Sequence, residues 1–294
     1  MIPALTLKSG NKIPRLGLGT WTIGGGMTRD PLNDDVGQIK SIRYAINQGI
    51  TWIRTAQNYA EGHCEELVGE AIKGMDREKI FLMVAVNQRF AKNEQEMVDQ
   101  ARGSLRRLGT TYANLYLIGG LEETVSLRTV AQGLMKVKKL GLAKDVGVGN
   151  YRLSELKKMH EYLGEDLVYN EMHMNLVIRE PLITGVYDYC TKNNITLGAY
   201  RPLQLGQLAN PGIEVLDTLS KKYNRSQAEI SLKWIMSFPN IVTMPKMGSI
   251  KHIDQSVRIF DWEMAEKDLE TLTNNFPIQV GVSDCTPPKP SFTR

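Results

Sequence analysis

Hydrophobic positions along the chain follow two alternating patterns. Short runs that are apolar at nearly every position, such as Ile80–Val86 (IFLMVAV) and Ala113–Ile118 (ANLYLI), alternate with longer segments whose apolar residues recur every three to four positions. A run apolar on both faces suits a parallel strand buried between layers, and the 3.6-residue period marks an amphipathic helix. On this basis strands are predicted at Leu16–Thr20, Gly49–Thr55, Ile80–Val86, Ala113–Ile118, Ala143–Val148, Leu167–Met172, Ile195–Ala199 and Ile241–Met244. Helices are predicted between them at Val36–Asn47, Glu65–Lys73, Gln95–Leu108, Leu127–Leu140, Leu153–Tyr162, Leu182–Lys192 and Gln227–Ser237. Ahead of the first strand, alternating ALTLK, the turn Ser9-Gly10-Asn11 and then KIP predict a hairpin over Ala4–Pro14.

Eight strand–helix units in succession predict an α/β fold, a (β/α)8 TIM barrel with the N-terminal β-hairpin capping the barrel bottom. The competing architecture, a doubly wound open sheet, calls for a G-x-G-x-x-G turn after its first strand. Here Gly17 and Gly19 lie inside the strand and Gly24–Gly26 forms a loop, with no such fingerprint following. One domain over residues 1–294 is therefore expected. Residues 277–294, with Pro287, Pro288 and Pro290, are expected to form an irregular tail that lies across one mouth or is loose.

Composition narrows the function classes. A net charge of +4, dispersed and without a basic stripe interleaved with aromatics, argues against nucleic acid. No window of eighteen apolar residues and no leader-like N-terminus are present, so neither a membrane span nor secretion is expected. The three cysteines, Cys64, Cys190 and Cys285, stand far apart and without metal-ligand spacing. They predict a reducing compartment, a cytoplasmic location and no metal. A monomer acting on a small molecule is the expectation.

Barrel enzymes place their chemistry at the C-terminal ends of the strands. The residues predicted there are Trp21, Arg54, Asn58, Tyr59, Ala85, Gln88, Gly119, Gly120, Gly149, Asn150, Glu171, His173, Tyr200, Arg201 and Lys246. Arg54 stands out, because a charge at the end of a buried strand is costly unless a site needs it.

Around these residues several motifs occur in a familiar order. They are LGLGTW (Leu16–Trp21), GITWIRTAQNYAEGHCEELVGEAI (Gly49–Ile72), SLRRLGTTYANLYLI (Ser104–Ile118), VGVGNY (Val146–Tyr151), YNEMHMNL (Tyr169–Leu176), GAYRPL (Gly198–Leu203) and MPKMGSIKHIDQSV (Met244–Val257). Together they resemble the aldo-keto reductases over nearly the whole chain, from the hairpin to about Leu272. The resemblance implies NADPH-dependent carbonyl reduction. In that family a tyrosine hydroxyl donates the proton, with its pKa lowered by a lysine paired to an aspartate; a histidine orients the carbonyl, and the nicotinamide stacks on a second tyrosine.

Carried over position by position, the resemblance assigns the proton-donating tyrosine to Tyr59. Arg54 occupies the aspartate position, Ala85 the lysine position and Gly119 the histidine position. Tyr59 without its lysine is expected to titrate near the reference value of about 10. Asn150 and Tyr200 match the nicotinamide-binding positions, while Lys246, Ser249 and His252 match those that hold the adenosine phosphate, so NADP(H) remains the implied cofactor. Glu171 replaces a glutamine, and Gly149 and Arg201 replace serines.

The scaffold motifs stand while the departures gather at the catalytic centre. This pattern is read as a pocket emptied for another use, by evolution or by engineering. Glu171 is then the candidate general base for non-redox proton abstraction, with Tyr59 or Arg54 assisting and Trp21 and Tyr200 offering flat faces to an aromatic substrate. The alternative for Glu171 is an ion pair with Arg54 or Arg201. His173 is a second candidate base or a structural histidine, and Arg54 either stabilises an anion or compensates Glu171. Two further readings stay open: an NADP(H)-dependent oxidoreductase of reduced activity, and a non-catalytic NADP-binding barrel.

Overall fold

The computed structural model describes residues 1–120 and 125–285. The chain opens with an antiparallel hairpin, β1 (Ala4–Thr6) paired to β2 (Lys12–Pro14). Eight parallel strands follow: β3 (Gly17–Gly19), β4 (Trp52–Ala56), β5 (Phe81–Asn87), β6 (Ala113–Gly119), β7 (Ala143–Gly149), β8 (Leu167–His173), β9 (Thr196–Tyr200) and β10 (Ile241–Thr243). Each pairs with its sequence neighbours. Backbone bonds from Thr243 N to Arg15 O (2.9 Å) and from Gly19 N to Pro245 O (3.1 Å) bring β10 back to β3. The result is the predicted (β/α)8 barrel.

Helices cover the outside: α1 (Asp35–Asn47), α2 (His63–Ile72), α3 (Glu94–Arg107), α4 (Leu127–Lys139), α5 (Leu153–Leu163), α6 (Glu180–Ile183), α7 (Val186–Lys192), α8 (Glu214–Tyr223), α9 (Gln227–Met236), α10 (Ile250–Val257) and α11 (Glu266–Asn274). Their starts follow local chemistry. Ser226 and Glu229 form a reciprocal capping box on α9, and Asn93, Ser126 and Ser249 cap α3, α4 and α10. The predicted helix Leu182–Lys192 is two helices. Gly185 at φ 75° breaks it, and Pro181 sits in the first turn of the earlier piece.

The hairpin caps the barrel bottom. Leu7 and Ile13, both buried, pack with Trp52, Phe81, Leu115, Val168 and Val242 from the early parts of the strands. Asn11 Nδ2 donates to Asp145 Oδ2 at 2.7 Å. With this end closed by apolar packing around the Asn11–Asp145 contact, side chains nearer the C-terminal ends of the strands bring a second set of ionisable groups into the barrel: Arg54 on β4 and Glu171 and His173 on β8. Residues 277–285 lie against the segment that follows β8, with Val280 N donating to Val177 O (2.7 Å) and Arg179 N donating to Val280 O (2.8 Å). The remainder of the predicted tail, 286–294, lies outside the described residues. No described helix is long and apolar enough to cross a membrane.

Candidate active site

Arg54 shares the inward register of β4 with Trp52 and Ala56, and Glu171 lies on β8, four strands away. In an eight-stranded barrel that separation places them on opposite walls. Their side chains meet across the mouth. Arg54 Nη2 donates to Glu171 Oε1 at 2.6 Å and Nε donates to Oε2 at 3.3 Å, a two-point pair with both side chains largely buried. Small residues flank each partner. Gly19 is opposite Arg54 in register, and Gly149 and Gly198 are opposite Glu171.

The third guanidinium nitrogen addresses Tyr59. Arg54 Nη1 donates to the Tyr59 hydroxyl. Tyr59 follows β4 in a tight turn, Tyr59–Gly62, in which Ala60 and Glu61 adopt left-handed backbone and Ala60 N donates to Gly26 O at 2.8 Å. Trp21 meets the Tyr59 ring edge-on at a centroid distance of 4.9 Å. Burial raises the Tyr59 pKa above its ordinary value, while the Arg54 charge opposes that rise. The expectation that Tyr59 titrates near 10 is thus corrected upward: loss of water around the phenol outweighs the cation. For Arg54, burial disfavours the charge, but Glu171 more than compensates and the guanidinium stays charged.

Beneath the pair, Tyr169 is fully buried, and a Cβ on Gly198 would overlap its hydroxyl. Gly198 is therefore what admits this ring to the barrel interior. Ala85 and Gly119 leave their parts of the wall without polar groups. A Cβ built on Gly119 meets nothing closer than Gly149 O at 3.7 Å, so the backbone there does not itself demand glycine.

His173 is buried at 1 % exposure and stacks on Tyr200 at a centroid distance of 5.3 Å. Its Nε2 lies 2.9 Å from Gln204 Oε1, with Asn175 Nδ2 beside it at 3.1 Å, and its Nδ1 lies 2.8 Å from Ser283 Oγ. Burial lowers its pKa, so the neutral ring is favoured. Tyr200 donates its hydroxyl to Asn150 Oδ1 at 3.0 Å. Arg201 reaches Cys285 Sγ rather than Glu171. Cys64, buried, bonds Thr20 and Thr55 side chains, and its thiol is pushed up to about 11.

Further along the mouth, exposed Lys246 contacts the Thr22 hydroxyl. Ser249 accepts from His252 N as the cap of α10, whose first amides, dipole and nearby lysine could hold an anion. Between this end and Tyr200, the turn Gln204–Ala209 carries left-handed Leu205 and Gly206. A planar ring and an amide at one end and an anion site at the other is a donor set that fits a dinucleotide bearing a phosphate.

A (β/α)8 barrel with a tyrosine hydroxyl and a charged pair at its C-terminal mouth is the class that the fold and site define. The aldo/keto reductase family model matches residues 15–274, and the chain belongs to that family. It is 30 % identical to the methylglyoxal reductase YeaE of Escherichia coli over 92 % of this chain and 93 % of that protein. The thermostable aldo-keto reductase Tm1743, solved with the inhibitor epalrestat, superposes with a TM-score of 0.88 at 30 % identity, covering 92 % of this chain and 98 % of that one. The aldo-keto reductase AKR2E5 complexed with NADPH superposes at 0.82 with 25 % identity, covering 96 % and 89 %.

Proposed function

We propose that the protein binds NADP(H) and reduces small carbonyl compounds, with Tyr59 as the proton donor. The observation that carries this reading is the bridge formed by Arg54, which touches the Tyr59 hydroxyl and Glu171 at once. A proton donor must leave a stabilised anion behind. The guanidinium supplies a cation at the phenol oxygen, and Glu171 holds that cation in place. The roles expected of a lysine and an aspartate are thus met by Arg54 and Glu171 from different strands.

Asn150, Tyr200, Lys246, Ser249 and His252 would hold the cofactor, which supplies hydride when bound. Tyr59 presents the proton to the carbonyl oxygen, and Trp21 fixes the phenol ring and narrows the entrance. No imidazole stands at Gly119 to orient the carbonyl, and burial keeps Tyr59 a weak acid. Both features predict a reductase of reduced activity. The named substrate of the Escherichia coli relative, methylglyoxal, is the first compound to test.

Proton abstraction by Glu171 fits this geometry less well. Both its oxygens accept from Arg54 and it is 3 % exposed, so a substrate proton would have to displace a buried ion pair. The test uses the full chain, NADPH and methylglyoxal. Binding seen by NADPH fluorescence, with turnover lost in Tyr59→Phe, supports reduction. Binding without turnover supports a non-catalytic NADP-binding barrel. Failure to bind NADPH sinks the reading, and activity that needs no NADPH but needs Glu171 replaces it with proton abstraction.

A further inference from the structure

The spacing of the cysteines predicts no metal site, because the residues concerned come together only through the fold. Residues 277–285 run along the segment after β8 and are pinned there by Ser283 N donating to the buried Glu180 Oε2 at 2.6 Å. This path delivers Asp284 and Cys285 to His173, more than a hundred residues earlier in the chain. One ligand atom from each of the three lies within 4.8 Å of the others. Nδ1 of His173 is 3.6 Å from Asp284 Oδ1, and Cys285 Sγ is 3.2 Å from the same oxygen.

We propose that His173 Nδ1, Asp284 Oδ1 and Cys285 Sγ form a three-donor site for a borderline-soft divalent cation, zinc above all, with a fourth position open to water. Zinc bonds of about 2.0 Å to nitrogen and oxygen and about 2.3 Å to sulfur give tetrahedral edges of roughly 3.3–3.5 Å. The two measured separations are within a few tenths of that. A neutral imidazole, a carboxylate and a thiolate balance the two positive charges of the ion.

The surroundings suit this assignment. Gln204 Oε1 accepts from Asn175 Nδ2 at 2.8 Å, so it is an acceptor towards His173 as well. His173 therefore carries its proton on Nε2 and presents the Nδ1 lone pair to the cluster, the outer-partner arrangement that orients a ligating histidine. Arg201 Nη1 lies 2.8 Å from Cys285 Sγ, and its N–H would offset part of the charge of a metal-bound sulfur, whose proton, now donated to Asp284 Oδ1, the ion would replace. Ser283 Oγ, now 2.8 Å from Nδ1 and accepting from Cys285 N at 3.0 Å, is the group that the ion would displace. A mixed nitrogen, oxygen and sulfur set selects zinc, or cobalt as its spectroscopic substitute, over magnesium or calcium. Loading the site would tie residues 277–285 to the end of β8, next to Tyr200.

The test titrates cobalt(II) into the full chain after chelator treatment. One equivalent is expected to develop a sulfur-to-cobalt charge-transfer band in the near ultraviolet, which zinc then abolishes by competition. The band is expected to vanish in Cys285→Ser, and cobalt affinity to fall at least tenfold in Asp284→Asn. Both substitutions fall on partly exposed positions, and circular dichroism reports whether each variant is folded. Absence of the band at saturating cobalt overturns the site. So does a band that persists in Cys285→Ser, or an affinity unchanged in Asp284→Asn.

Discussion

Arg54 and Glu171 reach each other from opposite walls of the barrel, two charged groups meeting where β4 and β8 end. The pair spans the mouth because glycines stand beside both strands at that level, and the same arginine keeps a donor for Tyr59. Its dependence on both partners makes the pair testable as a unit. Removing one charge leaves the other buried and unpaired, a loss of about 3–5 kcal/mol. Arg54→Met and Glu171→Gln are each expected to lower the unfolding free energy by that much, read as a fall in the urea midpoint at unchanged m-value. The double variant Arg54→Met/Glu171→Leu is expected to recover most of it. Single variants within about 0.5 kcal/mol of the parent, at unchanged m-value, would show that the pair does not form in solution.

The direction of the Tyr59 shift sets a pH profile. The donor works only while protonated, and burial holds its pKa above the ordinary value of about 10. Carbonyl reduction is therefore expected to show no loss on the basic side up to about pH 10. Arg54 acts against the rise, so Arg54→Met moves the basic limb higher still and lowers the rate. A limb near neutrality in the kcat/KM profile would assign the proton to another group.

Thiol reactivity follows burial. Cys64 is pushed up to about 11 and Cys190 to about 12, so at pH 8 their thiolate fractions are on the order of one in a thousand or less. Cys285 is half-buried with Arg201 at its sulfur. In chelator-treated native protein, iodoacetamide is expected to modify Cys285 well before the other two, as read by peptide mass spectrometry. Labelling of Cys64 at a comparable rate would contradict the burial described for it.

Gly198 stands opposite Glu171 for a steric reason. A Cβ there would overlap the Tyr169 hydroxyl and ring, and Tyr169 has no exposed face to retreat towards. Gly198→Ala is expected to destabilise by roughly 1–3 kcal/mol, and adding Tyr169→Leu to restore part of the loss. A neutral Gly198→Ala in thermal unfolding would mean that the ring repacks freely.

Much of this fold is legible in the sequence. The eight strands stood out because parallel strands buried on both faces are apolar without interruption, as Phe81–Asn87 and Ala113–Gly119 nearly are. A one-helix-per-strand alternation passes over α8, which shares the β9–β10 connection with α9, and gives no ranges for α10 and α11, which follow the last strand; it also joins α6 with α7 across Gly185. At the site, an Arg54–Glu171 pair was one of two readings open for Glu171. The contact from Arg54 to Tyr59 was not visible, since it depends on the turn at Tyr59–Gly62 that aims the ring. The meeting of His173 with Cys285 had no signal in spacing at all, because it is made by the path of residues 277–285.

The last expectation concerns the wall two strands away from the one that carries the phenol. The family resemblance places a carbonyl-orienting histidine where Gly119 stands, at the end of β6. Gly119 does not adopt left-handed backbone, and a Cβ there meets only ordinary contacts, the nearest at 3.7 Å. The position therefore accepts a Cβ without moving its neighbours. If Tyr59 under Arg54 is the proton donor, what the site lacks is a second donor to the carbonyl oxygen, and one such group contributes roughly 10²–10³ to rate in other enzymes. Gly119→His is expected to raise kcat/KM for methylglyoxal by at least ~10-fold, mostly in kcat, and Gly119→Ala to leave it near the parent value. Were both variants equally inert while folded and able to bind NADPH, the carbonyl would have to be oriented elsewhere, with Arg54 the next group to test. A gain in Gly119→His that disappears on adding Tyr59→Phe would tie the new imidazole and the old phenol to one reaction.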